Sequence, residues 1–206
     1  MAGEPAVVVV HGLWMPALVM WPLQRRLERS GFSVTRFGYA SLRAPLEANA
    51  RALARRVAAL GRARLVGHSL GGLVVLAALP LLRGRADRAV LMGSPTAGCH
   101  SASVAQRIPA LRPLVGRSLP DWFEAPTAVP AATEIGVISG SVPFGIGRLL
   151  PDLPRPNDGV VAVAETRLPG ARDAVCLPVT HSQMLLSARC AREVANFLLH
   201  GRFLHD

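Results

Sequence analysis

Short apolar runs alternate with helical patterns along most of this chain. The first run, Val7–Val10, consists of four valines and is typical of a strand buried on both faces. Strands that alternate with helices form βαβ units, which have parallel strands. The sequence therefore predicts an α/β fold with a mostly parallel sheet of about six strands and helices on both faces. The six predicted strands are Val7–Val10, Phe32–Phe37, Arg64–Gly67, Arg88–Met92, Ile135–Ser139 and Ala174–Pro178.

Two long stretches interrupt this alternation. Residues 94–134 contain apolar side chains but no strand pattern, and residues 141–157 are rich in glycine and proline. Long irregular stretches inside a compact domain are usually functional covers or loops. A length of 206 residues favours one domain. We expect a single domain over residues 1–206, with 94–134 as a small cover over the active site.

The charge of the chain is strongly positive. The net charge is +10, and all 23 basic residues are arginines scattered along predicted helical faces. There is a single tyrosine and no basic run interleaved with aromatic residues, so we do not expect nucleic-acid binding. The most apolar helix, Leu70–Leu82, contains two glycines and a proline, and we expect no stable membrane insertion. The oligomeric state is left open.

The cysteines and the first residues bear on the compartment. Cys99, Cys176 and Cys190 are an odd number, which favours free thiols and a reducing environment, and they lack metal-site spacing. Residues 1–5 carry an acid and no basic run, so no signal peptide is expected. The sequence predicts a cytoplasmic protein without a metal site.

Ser69 lies between two glycines in the stretch GHSLG, residues 67–71. This stretch follows a predicted strand and begins a predicted helix, which is the setting of a nucleophile elbow. The sharp turn exposes the serine hydroxyl, and Gly67 and Gly71 remove side chains that would collide with neighbouring elements. We therefore predict that Ser69 is a nucleophile; a plain glycine turn is the alternative.

The negative charge that forms during such an attack needs two N–H donors. Leu70 follows the nucleophile at a helix N-terminus, and Leu13 follows Gly12 in the loop after the first strand. We predict an oxyanion hole made by the N–H groups of Leu13 and Leu70. His11 is expected to brace this loop rather than act as a base, and His68 to pack beside the serine.

A serine hydroxyl also needs a base and an orienting acid. His181 follows the sixth predicted strand, at the sheet edge that carries Ser69, and is the predicted base. Asp158 lies in the turn sequence NDG and is the predicted acid, with Asp152 as the rival. The other candidate groups are less well placed: His100 lies in the cover, His200 and His205 lie at the last helix or beyond it, and Asp173 lies at the opposite edge of the sheet.

The motifs HGLW, GHSLGG, NDGVV and THS together resemble the α/β-hydrolase superfamily, in particular small bacterial esterases and lipases that are similar to triacylglycerol lipases and inositol-deacylase-like hydrolases. The resemblance covers residues 6–200. It implies Ser69 as nucleophile, Asp158 as acid and His181 as base, with Leu13 and Leu70 at the oxyanion hole. It implies no cofactor.

The expected function is a serine carboxylesterase that hydrolyses small-molecule esters of short to medium acyl chain. An acyltransferase, a thioesterase or a non-catalytic binding protein with the same fold are the alternatives. Four apolar residues are expected to bind substrate, unless the cover residues among them pack in the core. They are Trp14, Leu111, Leu114 and Trp122.

Overall fold

The computed structural model describes residues 6–124, 131–145 and 152–205. Its centre is a six-stranded sheet in the order β2-β1-β3-β4-β5-β6, and every neighbouring pair is parallel. The strands are β1 (Ala6–Val10), β2 (Val34–Phe37), β3 (Ala63–His68), β4 (Arg88–Met92), β5 (Glu134–Gly140) and β6 (Asp173–Leu177). The predicted six-stranded α/β fold is confirmed, and all of its strands are parallel.

Helices cover both faces of the sheet. The α-helices are α1 (Trp21–Arg29), α2 (Leu46–Leu60), α3 (Leu70–Ala78), α4 (His100–Arg107), α5 (Arg112–Val115), α6 (Ser118–Glu124) and α7 (Ala188–His200). Helices α2 and α3 contribute to one core cluster, and α1 and α7 to the other. None of the helices in the described part of the chain is long and apolar enough to cross a membrane.

The run of valines in β1 explains why this strand lies in the middle of the sheet. Val8 and Val10 point into the core beneath α2 and α3, whereas Val7 and Val9 point into the core beneath α1 and α7. All four side chains are fully buried. A strand that is apolar on both faces is stable only where helices cover both faces. The sequence of β1 therefore requires the helices that are observed on each face of the sheet.

The strand order changes direction at β1. The chain passes from β1 to β2 on one side and then returns to place β3 on the other side of β1. The loops that follow β1 and β3 therefore diverge to opposite faces and leave a crevice at the carboxyl edge of the sheet. Open α/β sheets bind ligands at such a switch point. The loop Gly12–Leu13 and the residue Ser69 both lie there.

The end of the expected cover is fastened to the body of the domain. Trp122 is 1% exposed and lies in the core cluster to which α2 and α3 contribute; its indole N–H donates to the carbonyl of Thr96, near the start of the expected cover, at 3.1 Å. A carboxylate oxygen of Asp121 accepts from the backbone N–H of Leu46, at the first residue of α2, at 2.9 Å. Helix α6 is thus part of the core beside α2 and α3. Residues 125–130 of the expected cover lie outside the described residues.

We predict that Trp122→Ala lowers the free energy of unfolding by about 3–5 kcal/mol, because it empties a large buried site. Leu114→Ala is the matched control in the same segment, since the Leu114 side chain is 47% exposed; its change should stay within about 0.5 kcal/mol. Urea denaturation followed by circular dichroism measures both values. Equal, small changes for the two variants would place Trp122 outside the core.

Candidate active site

Ser69 has a backbone conformation that residues other than glycine rarely adopt. It lies between the last residue of β3 and the first residue of α3, with φ 54° and ψ −125°. Its N–H donates to the carbonyl of Met92 in the neighbouring strand at 2.8 Å, which fixes the turn. A strained backbone of this kind persists only when its surroundings enforce it, and such residues cluster at functional sites.

The two glycines around Ser69 permit the close packing of this turn. A Cβ atom on Gly67 would lie 2.5 Å from the Gly72 backbone, and one on Gly71 would lie 2.4 Å from the carbonyl oxygen of Val10. Any side chain at either position would therefore push α3 away from β1 and β3. The predicted reason for these glycines agrees with the contacts observed.

The predicted oxyanion donors both lie next to Ser69. Leu70 is the first residue of α3, where N–H groups have no partner within the helix. A Cβ atom on Gly12 would lie 3.1 Å from the Ser69 Cβ, so the Gly12–Leu13 loop passes directly beside the serine. Among the described residues, neither the Leu13 nor the Leu70 N–H donates a hydrogen bond. Both groups are available for an anionic oxygen.

His11 braces the loop that carries Leu13. Its Nδ1 donates to the Gly12 carbonyl at 2.8 Å, and its Nε2 accepts from the N–H of Tyr39 at 3.3 Å. The two rings stack with centroids 4.4 Å apart, and the Tyr39 hydroxyl donates to the His11 carbonyl. Burial lowers the pKa of His11. Its two ring nitrogens are occupied by Gly12 and Tyr39, which agrees with the predicted bracing role.

His181 and Asp158 form a buried hydrogen-bonded pair. The Nδ1 of His181 donates to the Oδ2 of Asp158 at 2.7 Å, and the two residues are 7% and 1% exposed. The backbone N–H of His181 also donates to the Asp158 carbonyl at 2.8 Å. With its proton on Nδ1, the imidazole has Nε2 free to accept a proton.

The turn around Asp158 holds its carboxylate in place. The other carboxylate oxygen, Oδ1, accepts from the N–H groups of Val160 and Val161 at 2.9 and 2.8 Å. A charge buried to this degree requires such donors. Asp152, the rival acid, is exposed and makes no hydrogen bond among the described residues. Of the two acids that the sequence left open, Asp158 is therefore the one that contacts His181.

Ser69 and His181 lie in segments that contact each other, but the two residues are not hydrogen bonded. The Ser69 hydroxyl makes no hydrogen bond to His181 or to any other described residue. The link between the two segments is His68, whose Nε2 donates to the His181 carbonyl at 3.0 Å. The rings of His68 and His181 have centroids 4.7 Å apart. Catalytic hydrogen bonds are often long before substrate binds, so this geometry is compatible with a serine–histidine couple.

His68 is an uncharged histidine. Its side chain is fully buried, and burial, reinforced by the nearby His181, lowers the pKa of His68 to about 3. The opposing influences, the hydrogen bond to the His181 carbonyl and the Asp158 carboxylate, are smaller. His68 is therefore a neutral donor at neutral pH.

Gly93 is a site residue that the sequence analysis missed. It follows β4 with φ +58°, and a Cβ atom there would lie 3.1 Å from both the Asp158 Oδ2 and the His181 Nδ1. Gly93 thus leaves the space in which the two side chains meet. Nothing in the sequence distinguishes it from the other 18 of the chain's 19 glycines, because its contacts come from segments more than 60 residues away.

The residues predicted to bind substrate have different environments. Trp14, with φ 61°, is 50% exposed beside Leu13, and Leu114 is 47% exposed. Leu111 is half-buried, whereas the burial of Trp122 favours the alternative that it packs in the core. In the described part of the chain, no group of three or more His, Cys, Asp or Glu side chains could hold a metal ion.

Comparisons with known proteins identify the family of this chain. The model of the Alpha/beta hydrolase family matches residues 7–201. The chain belongs to the alpha/beta hydrolase family. The comparison with curated protein sequences gives no significant match for this hydrolase.

Solved structures of several hydrolases have the same fold. The mature form of the Bacillus licheniformis lipase BlEst2 is 18% identical, with a TM-score of 0.80 over 97% of this chain and 92% of that one. A pyrethroid hydrolase from Sphingobium faniae is 15% identical, with a TM-score of 0.62 over 95% and 98% of the two chains. Polyneuridine aldehyde esterase, as a mutant, is 14% identical, with a TM-score of 0.64 over 96% and 98%. At these identities the likeness shows the fold alone.

We predict that Gly93→Ala separates Asp158 from His181. Gly84→Ala is the matched control, because Gly84 also has a positive φ, +79°, but has no atom within 4 Å of its Cβ position. Both variants carry the backbone cost of about 1–2 kcal/mol, whereas only Gly93→Ala adds a clash. The downfield proton signal of the His181 Nδ1–H in the NMR spectrum should vanish in Gly93→Ala and persist in Gly84→Ala. Persistence in both would contradict the role assigned to Gly93.

Proposed function

We propose that this hydrolase is a serine carboxylesterase that cleaves short- to medium-chain carboxylic esters through an acyl-enzyme. The observation that carries the proposal is the buried hydrogen bond of 2.7 Å between the His181 Nδ1 and the Asp158 Oδ2, beside a serine held at φ 54°. A neutral imidazole oriented in this way is the base that a serine nucleophile requires.

In the proposed acylation, His181 Nε2 takes the Ser69 hydroxyl proton as the oxygen attacks the ester carbonyl. The N–H groups of Leu13 and Leu70 stabilise the oxyanion, whose charge lies at the N-terminus of α3. Asp158 holds the reacting tautomer and stabilises the imidazolium ion. His181 then returns the proton to the leaving alcohol, and the acyl-enzyme forms.

Deacylation repeats these steps with water in place of the serine. His181 removes a proton from the water as it attacks the acyl-enzyme, and the same two N–H groups stabilise the second oxyanion. Every step uses side chains and backbone groups of this chain, without a cofactor. The exposed side chains of Trp14 and Leu114, together with Leu111, are proposed to form the apolar wall for a short to medium acyl chain.

The proposal is tested first at the nucleophile. Ser69→Ala should reduce hydrolysis of p-nitrophenyl butyrate to below about 1% of the wild-type rate, since the remaining groups only bind and polarise the ester. A fluorophosphonate probe should label the wild-type protein at Ser69 and leave the variant unlabelled. Circular dichroism serves as the control for folding. Undiminished hydrolysis by a pure, folded variant would exclude Ser69 as the nucleophile.

The second test separates the two acids. Asp158→Asn should lower kcat strongly, because an amide no longer fixes the His181 tautomer; the same change in a serine-protease triad costs about 10⁴-fold. Asp152→Asn is the matched control, since that side chain is exposed, and its kcat should stay close to the wild-type value. Equal losses in the two variants would argue against Asp158 as the orienting acid.

A further inference from the structure

His68 is a buried titratable residue of the site that the proposed mechanism does not use. It directly precedes the nucleophile, and its side chain is inaccessible to solvent. It is a poor acceptor for the Ser69 proton, because burial strongly favours its neutral form, and its Nε2 donates to the His181 carbonyl instead. Its hydrogen bond nevertheless reaches across 113 positions of the sequence to the predicted base.

The backbone and side chain of His181 are held by three hydrogen bonds. Two of them come from Asp158: its carbonyl accepts from the His181 N–H at 2.8 Å, and its Oδ2 accepts from Nδ1 at 2.7 Å. These two bonds fix His181 relative to the acid loop. The third, from the His68 Nε2 to the His181 carbonyl at 3.0 Å, fixes it relative to the turn that carries Ser69.

Among the described residues, the bond from His68 is the one hydrogen bond that joins the residues 67–71 to His181. Because the Ser69 hydroxyl itself is not bonded to His181, this bond and the ring contact at 4.7 Å contribute directly to the separation of the two reacting groups. Proton transfer is sensitive to such a separation, since displacement by about 1 Å can cost 10²-fold in rate.

Stability alone does not account for a histidine at this position. In the described part of the chain, the His68 Nδ1 is buried without a hydrogen-bond partner, and an unpaired buried polar atom is unfavourable. A Cβ atom on Gly12 would lie 3.3 Å from this nitrogen, so the nitrogen faces the loop that follows β1. An apolar side chain of similar size would avoid that cost, but it could not donate to the His181 carbonyl.

We propose that His68 is a positioning residue: it ties the base to the nucleophile turn and so sets the distance between the Ser69 hydroxyl and the His181 Nε2. This inference rests on the proposed serine esterase function. The residue needs to remain neutral for this purpose, because a second cation beside His181 would oppose the imidazolium ion that forms during proton transfer.

Two substitutions at His68 separate the effect of the hydrogen-bond donor from the effect of side-chain size. His68→Gln keeps an N–H donor at a similar reach, and His68→Phe keeps a planar ring without a donor. In His68→Phe we expect kcat for p-nitrophenyl butyrate to fall about 10²-fold with KM nearly unchanged, because the ester still binds while the reacting groups are misplaced. His68→Gln should recover most of that loss. Thermal denaturation shows whether each variant is folded. The fraction of protein labelled by a fluorophosphonate gives the fraction of molecules with a reactive serine.

The outcomes distinguish this inference from the proposed function. If the wild-type protein hydrolyses esters and both variants match its kcat, or if the two folded variants lose activity equally, the positioning role is excluded while the esterase function stands. If the wild-type protein neither hydrolyses esters nor reacts with the probe, the proposed function fails. A crystal structure of His68→Phe then decides the inference by geometry: an undisplaced His181 overturns it, and a displaced His181 supports it.

Discussion

The backbone strain at Ser69 is the constraint on which the rest of the site depends. A serine at φ 54° is held there because β3 turns directly into α3 while α3 packs against the end of β1. The contact is so close that the would-be Cβ of Gly71 meets the carbonyls of Val10 and His11 at 2.4 and 2.5 Å. The switch in strand order at β1 and β3 creates this crowding, and the same crowding brings the Leu13 N–H beside the serine. The strain, the crevice and the position of the proposed oxyanion donors therefore have one structural origin.

The buried carboxylate of Asp158 is the second constraint on the site, because it requires hydrogen-bond donors. Asp158 is 1% exposed and would be unstable as a charge without donors. It has three: the N–H groups of Val160 and Val161 and the Nδ1 of His181. These contacts explain why the long connection between β5 and β6 is irregular rather than helical at this point, because a tight turn aims successive backbone N–H groups at one oxygen. The site thus determines the local structure of a segment that lacks any strand or helix pattern.

The sequence predicts local features well and distant contacts poorly. The four valines of β1 and the GHSLG turn carry their structural consequences within a few residues, so the sheet and the position of Ser69 were predictable. Asp158 could be favoured over Asp152 because NDG is a strong turn signal, yet its contact with His181 is visible only in three dimensions. Gly93 and the bond of His68 had no signal in the sequence, because each depends on segments that folding brings together.

The two ends of the expected cover, residues 94–134, are attached to different parts of the domain. Helix α6 is fastened to α2 by the hydrogen bond from the Leu46 N–H to Asp121, and to the core by the burial of Trp122. Helix α4 has no buried residue, and its start is bonded instead to the segment that follows Asp158: Ser101 Oγ donates to the Val160 carbonyl at 2.5 Å, and the N–H of His100 donates to Glu165. Val160 is also one of the two N–H donors to Asp158. The start of α4 and a residue that holds the Asp158 carboxylate are therefore bonded to each other, so a substitution at Ser101 also acts on the geometry of the Asp158–His181 pair.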